Sequence, residues 1–319
     1  MQTTKTMRPT LRLLLQRAWH ATEPAADKAI GWLPGSLKLI LFRGLVKALR
    51  VRAVTIEGAY GRIQGDPLDL GVLSEYMLTG TYSPELINVL LDWFKRFGTG
   101  TMIDVGANIG LTTMPVALSG VECICFEPDL NNFGLLKANI AQGGLTNVKS
   151  FNVAVFDSDC EVSFEISDWN HGDHRVRLVD TKGAFGEQHR VVTKVAARRL
   201  DGMVEVGSLR RPLLVKIDTQ GGEAHVLKGG EAVISSADLL SLEFCPYLVR
   251  RAGEHENTLI NFVERHFVAG YIDNWHVHSE RPRLMDIKEL VGRLRDFSKS
   301  VATTQHLDLL LVRDRNFAR

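Results

Sequence analysis

The run Met102-Ile103-Asp104-Val105-Gly106-Ala107-Asn108-Ile109-Gly110, followed by Ile124-Cys125-Phe126-Glu127-Pro128, leaves this 319-residue chain the fewest folds to adopt. Ile103 and Val105 belong to a short apolar strand that runs into a glycine turn, and a helical run starts near Leu111. A second apolar strand then ends in an acid, with Asp104 and Glu127 standing 23 residues apart. Strand, small-residue turn, helix, strand and acid together make a nucleotide-type binding unit. The small residues let backbone approach a ligand, and the second acid accepts hydrogen bonds from ribose hydroxyls.

The glycine spacing selects the ligand. A dinucleotide fingerprint needs G-x-G-x-x-G, whose tight turn aims N–H groups at a pyrophosphate. Here the run is D-x-G-x-x-x-G, with Asn108 at the middle small position. A looser turn with an acid before it suits a cationic ligand without phosphate. S-adenosylmethionine, with its ammonium, sulfonium and ribose, meets that description; an NAD-linked oxidoreductase lacks the glycines it requires. Asp104, Gly106, Gly110 and Glu127 are read as cofactor-binding. Asn108 is either a turn residue that tolerates left-handed backbone or a contact of the cofactor's amino acid moiety.

A second segment, Leu214-Val215-Lys216-Ile217-Asp218-Thr219-Gln220-Gly221-Gly222-Glu223, repeats the plan of apolar strand, acid, glycine turn and helix. Ligands of open α/β sheets sit beyond the carboxyl ends of the strands. Asp104, Glu127 and Asp218 are therefore expected in one crevice. Asp157 joins them as a cofactor residue unless Asp157-Ser158-Asp159 is a plain surface turn. Lys216 sits on a buried-looking strand, where an unpaired ammonium is costly, and Asp218 lies two residues on along the same face. Glu223 is either a first-turn acid favoured by the helix dipole or a catalytic group, and His225 is an ordinary helix-face residue. Glu243 interrupts the apolar strand Leu239–Phe244 and is assigned to the site by its place at the sheet end.

From Thr101 onward apolar strands alternate with helical runs, the pattern of a parallel α/β sheet with helices on both faces. The expected strands are Met102–Val105, Glu122–Phe126, Val148–Val153, Leu213–Ile217, Leu239–Phe244 and Leu307–Val312, after shorter β segments at Val54–Ile56 and Gly61–Gln64. The expected helices are Ser83–Phe97, with Ser83 as N-cap and Pro84 at the first position, Leu111–Leu118, Asn131–Ala141, Glu223–Leu227 and Leu259–Val268. Residues 161–200 break the alternation and read as β-rich and loop-rich, with Asn170-His171-Gly172-Asp173-His174-Arg175 at a polar centre.

Residues 1–50 read as a basic helical extension and 51–319 as one catalytic-type domain. Leu11–Leu15 and Leu37–Val51 are apolar but broken by Arg12, Lys38, Arg43, Lys47 and Arg50. Neither reaches the roughly 20 apolar residues of a membrane span. They pack as a helical cap or rest on a membrane surface as basic amphipathic helices. Lys and Arg number 38 against 37 Asp and Glu, a balance that gives no pull toward nucleic acid. Four cysteines without a C-x-x-C pair read as reduced apolar residues of a cytoplasmic protein, not as a metal clip.

Taken in order, IDVGANIG, FEPD, NVAVFD, KIDTQGGE and SLEF resemble the FkbM-type S-adenosylmethionine-dependent methyltransferases, over roughly residues 54–312. The resemblance implies a class I methyltransferase fold, a Rossmann-like, mostly parallel sheet of about seven strands with one antiparallel. It implies O-methylation of a hydroxyl on a sugar, glycan or other natural product. It also implies that substrate choice lies in the variable region around Asn170–Arg175. Many members of the family carry Glu where this chain has Gln220. Positioning an acceptor oxygen in line with the methyl supplies most of such catalysis, and a carboxylate or imidazole takes the hydroxyl proton. Asp218, Glu243 and His174 are the candidate bases, and Lys216 with Asp218 is either a structural ion pair or a catalytic pair that positions the acceptor hydroxyl. An alternative has Asp218 and Glu243 bind Mg²⁺. The rival outside enzymology is a non-catalytic module with this fold, for which the intact Asp104, Gly106, Gly110 and Glu127 set is unexpected.

Overall fold

Apart from Thr101, Asp104, Glu122 and Lys216, the strand residues between Thr101 and Phe126 and between Leu213 and Ile217 are apolar, and all but Ile124 of these are buried, as a sheet covered by helices on both faces requires. The computed structural model describes residues 44–179, 182–272, 282–300 and 304–318. The chain divides into two units, Met1–Arg52 and Ala53–Arg319. In the first, residues 44–48 form a helical turn; the rest of the basic extension, with its expected surface-lying helices, falls outside the described residues. Among the described residues, no helix is long and apolar enough to cross a membrane.

The second unit opens with an antiparallel hairpin, β1 (Val54–Gly58) and β2 (Gly61–Gly65), then α1 (Val72–Thr79) and α2 (Pro84–Phe97). The α/β succession follows as β3 (Thr101–Val105), α3 (Thr113–Leu118), β4 (Glu122–Phe126), α4 (Leu130–Gln142) and β5 (Val148–Phe151). An insertion then builds a separate four-stranded sheet from β6 (Ala154–Val155), β7 (Cys160–Ile166), β8 (Arg175–Val176) and β9 (Val191–Arg198), in the order β6-β9-β7-β8. The main succession resumes with β10 (Leu213–Ile217), α5 (Glu223–Gly229), α6 (Glu231–Ser235), β11 (Leu239–Phe244), α7 (Pro246–Arg251) and α8 (Asn257–His266). It closes with β12 (Ala269–Ile272), β13 (Met285–Asp286), α9 (Ile287–Ser300) and β14 (Leu307–Val312).

The main sheet has the order β13-β12-β14-β11-β10-β3-β4-β5. Strands β11, β10, β3, β4 and β5 are parallel, while β14 runs against both β11 and β12. The chain moves outward from β3 to β5 and then returns to β10 on the other side of β3. That reversal is the topological switch point, where a crevice opens beyond the strand ends.

Side-chain alternation divides the core. Ile103, Val105, Val215 and Ile217 face one apolar layer with the helices after β10 and β11. Met102, Cys123, Cys125 and Leu214 face the other, with Trp93 and Phe94 of α2. Asp104 and Lys216 share the Met102 and Leu214 face by this same period of two. All four cysteines are free thiols. Asn139 of α4, wholly buried, accepts from the Gln64 N–H of β2 and donates to the carbonyls of Gln64 and Ile109.

Five of the six expected main-sheet strands lie within one residue of their predicted ends, and the insertion is β-rich as expected. Ser83 differs. It is in the left-handed region at φ 39°, its hydroxyl makes no cap hydrogen bond, and its N–H donates to Glu75. The residue before a proline is kept out of the right-handed helical region, so here Glu85 in the first turn answers the helix dipole.

Candidate active site

The turn after β3 is shaped by contact with the turn after β10. Gly106 has φ 86°, and a Cβ there would stand 1.9 Å from the carbonyl oxygen of Asp218. Only glycine fits, because backbone meets backbone. Asn108 follows in the left-handed region at φ 51°. Its N–H donates to Glu127 Oε2, its own amide oxygen accepts from Ile109, and its Nδ2 donates to the carbonyl of His171. Asn108 is thus the turn residue of the sequence reading, and its side chain is also a tether to the insertion.

Glu127 ends β4, buried, with one oxygen accepting from the Asn108 N–H and the other from the Asp129 N–H, each at 2.8 Å. Burial raises its pKa to about 8 against the pull of those two donors. Asp129 caps α4 by accepting from Asn131 and Asn132. Gly106, Asn108, Glu127, Pro128, Asn132, Asp218 and Thr219 line one cleft. Phe126, Val153, Ala154, Val155, Phe164 and Val176 add apolar lining to the same cleft.

Asp104 and Asp157 stand elsewhere than expected. Asp104 is wholly buried behind the cleft, where one oxygen accepts from Thr113 Oγ1 at 2.7 Å and the other from Lys216 Nζ at 3.3 Å. It braces the site and does not line it, since its strand position points into the Met102 layer. Asp157 lies past β6, where the chain has left the main sheet. Its carboxylate takes His225 Nδ1 at 2.7 Å and Ser158 Oγ. Those bonds outweigh burial and hold it below the usual carboxylate range. His225 is not an idle helix-face residue, because its other nitrogen meets the Ala252 carbonyl at 2.9 Å.

The second strand end brings four predicted or adjacent groups together. Lys216 Nζ stands 3.5 Å from Asp218 Oδ2, completing an acid–base–acid row with Asp104. Burial opposes its charge, but the two carboxylates win and raise its pKa. Burial likewise opposes the charge of Asp218, and Lys216 with the Gln220 amide outweighs it, so Asp218 is held low. Gln220, left-handed at φ 55°, donates from Nε2 to Asp218 Oδ1 at 2.9 Å and to Glu243 Oε2 at 2.8 Å. Glu243 is raised well above the carboxylate range by burial and then by the charges of Asp218, Glu223 and Asp308. The amide thus bridges the two acids that the Mg²⁺ alternative had joined through a cation. Glu223 turns back to accept from the N–H groups of Thr219 and Gly221 and from the Thr219 hydroxyl, so it shapes the loop.

His174 cannot serve as the base. Its Nδ1 accepts the Ser167 N–H at 3.1 Å, so the neutral ring carries its proton on Nε2. Burial and the neighbouring His171 lower its pKa to about 3. The rest of the Asn170–Arg175 segment splits by strand alternation. Phe164 and Val176 are register partners facing the cleft, while Glu165 and Arg175 pair on the opposite face. Arg175 and Arg190 there join Glu165 and Asp173 in a buried ion cluster.

Tyr82, between α1 and α2, escaped the sequence reading. Its phenol is raised by burial and then by the charge of nearby Asp218. No spacing in Thr81-Tyr82-Ser83-Pro84 signals a site. Gln220 and Asn132 carried a signal, since each sits inside or just after a quoted motif.

The strand order, the reversed β14 beside β11 and the cleft over β3 and β4 define a class I methyltransferase fold. Residues 104–298 match the methyltransferase FkbM domain, and the chain belongs to that family. The 2-O-methyltransferase NoeI of Sinorhizobium fredii is 25% identical over 160 residues, 45% of this chain and 62% of its own length. The hexuronic acid methyltransferase AglP of Haloferax volcanii is 29% identical over 141 residues, 44% of this chain and 54% of its own. The chain thus spans between half and two thirds of these curated relatives. A putative methyltransferase from Streptococcus mutans, solved with SAH, aligns over 71% of this chain and 96% of its own at 9% identity and a TM-score of 0.39. That likeness is too distant to bear on the site.

Proposed function

We propose that the protein transfers a methyl group from S-adenosylmethionine to a hydroxyl of a sugar or glycan. The observation that carries this reading is the single cleft lined by Gly106, Asn108, Glu127 and Asp218. Its chemistry fits the cofactor: a turn that a Cβ would fill, a shielded carboxylate for a ribose diol, and apolar lining for a purine. Glu127 and the Gly106–Asn108 turn would hold the nucleoside side. The bound cofactor supplies an electrophilic methyl on a sulfonium. Asp218 is the base: it lines the cleft, is 38% exposed in its side chain and is kept ionised by Lys216. Glu243, its pKa raised by burial and by neighbouring acids, is joined to Asp218 through the Gln220 amide, which fixes Asp218 in place.

The names of the two relatives, one an O-methyltransferase and one acting on hexuronic acid, support a sugar hydroxyl as acceptor. Labelled S-adenosylmethionine incubated with a glycan panel, followed by mass spectrometry, tests the reading. A methylated sugar hydroxyl is expected. Failure of the protein to bind either S-adenosylmethionine or S-adenosylhomocysteine overturns it.

A further inference from the structure

We infer that His174 and His171 grip the nucleoside of the cofactor, with His174 Nε2–H donating to a purine ring nitrogen, and that they do not select the acceptor. The inference rests on the methyltransferase reading and assigns two residues to its cofactor side. Both histidines line the same cleft as Glu127, Asn132, Val153, Val155 and Phe164. The segment is tied to the nucleotide-binding elements themselves. The His171 carbonyl accepts from Asn108 Nδ2 at 2.8 Å and from Asn132 Nδ2 at 3.2 Å. Its N–H donates to Asp69 Oδ1, a carboxylate that also holds the N–H groups of Gly71, Val72 and Leu73.

The donor is unambiguous. A backbone N–H occupies His174 Nδ1, so the ring offers one N–H, from Nε2, and no lone pair. Its depressed pKa keeps the ring neutral throughout the physiological range. The His171 and His174 ring centroids lie 5.3 Å apart, and the edge of His174 meets Phe164. A cleft that combines apolar side chains, a carboxylate and a fixed imidazole N–H suits an adenine nucleoside. The carboxylate takes the ribose diol, the apolar side chains take the faces of the base, and the imidazole satisfies a ring nitrogen that is otherwise desolvated without a donor.

Calorimetry of the full chain with S-adenosylhomocysteine, and separately with adenosine, tests this without any acceptor. His174→Phe keeps an aromatic ring and removes the donor, whereas His174→Gln restores an N–H near the Nε2 position. Loss of one neutral hydrogen bond predicts a roughly three- to tenfold weaker affinity for both ligands in His174→Phe, with most of it recovered in His174→Gln. Melting curves of the ligand-free variants identify any that is unfolded; if His174→Phe is, the comparison rests on His174→Gln against His174→Ala. Equal affinity in wild type and the donor-less variant overturns the inference and leaves the methyltransferase reading standing. A wild type that binds neither ligand overturns both.

Discussion

Lys216 Nζ lies 3.3 Å from Asp104 Oδ1 across the seam of β10 and β3, where the two residues are register partners. Asp104 is entirely shielded and also takes the Thr113 hydroxyl. Lys216 reaches on to Asp218 at the cleft. Asp104 thus keeps the ammonium charged inside the protein, and the ammonium keeps Asp218 charged at the edge. Asp104→Asn leaves Lys216 half-compensated, and breaking a buried pair costs about 3–5 kcal/mol. Denaturant unfolding is expected to show a loss of that order. A midpoint equal to wild type would remove Asp104 from this role.

Lys216→Met removes the cation that depresses the carboxyl of Asp218, leaving only its hydrogen bonds to act against burial. A carboxyl held low stays ionised as pH falls; one released upward is protonated sooner. The acid limb of the methyl-transfer profile should therefore move to higher pH in this variant. An unshifted limb, measured with a verified acceptor, would separate Lys216 from the base.

Asp218→Asn keeps the shape and removes the proposed base. Turnover should fall roughly 10²- to 10⁴-fold, with S-adenosylhomocysteine affinity within a few-fold of wild type and little change in melting temperature. Full turnover would shift the role to Glu243.

Glu127 gives a pH signature of opposite sense in stability and in binding. Its folded pKa, about 8, lies above the ordinary 4.5. Between those values the folded carboxyl keeps a proton that the unfolded chain has lost. Ligand-free stability should therefore decline as pH rises through that window, by at most about 1.4 kcal/mol per pH unit. The proposed bond from the cofactor ribose to Glu127 favours the ionised form, so S-adenosylhomocysteine affinity should rise as pH approaches 8. Glu127→Gln, close in shape and neutral, should flatten both trends. A pH trend in stability undiminished in that variant would place the titrating group elsewhere.

Gly106→Ala tests the contact of the two turns. A left-handed non-glycine residue costs about 1–3 kcal/mol, and the new methyl would also collide with the Asp218 carbonyl. A lower melting temperature together with lost cofactor binding is expected. Unimpaired binding would mean that the two turns need not touch.

The main sheet was legible because its strands are apolar runs of five or six residues bounded by glycine and acids, from Glu122–Phe126 to Leu307–Val312. That Glu127, Gly106 and Asp218 meet at one cleft was legible because each follows the end of such a strand. Asp104 and Asp157 were not, because an acid near a strand end may face inward or leave the sheet, and side-chain direction is settled by packing. His174 was misread as a base because the Ser167 N–H that fills its lone pair comes from a separate turn. Tyr82 was missed because it enters from outside the α/β succession, with no periodicity to announce it.

Asn139 has a consequence for how the hairpin behaves alone and in company. By accepting from one peptide group of Gln64 and donating to its carbonyl, a single amide side chain mimics a neighbouring strand. It satisfies a point on an edge that would otherwise invite a foreign chain to pair. It also pins the β1–β2 alignment to α4, since a one-residue slip would present the amide with the wrong groups. The hairpin is in this sense stitched shut by a residue from another part of the sequence, and a change at position 139 would be felt first as stickiness between molecules.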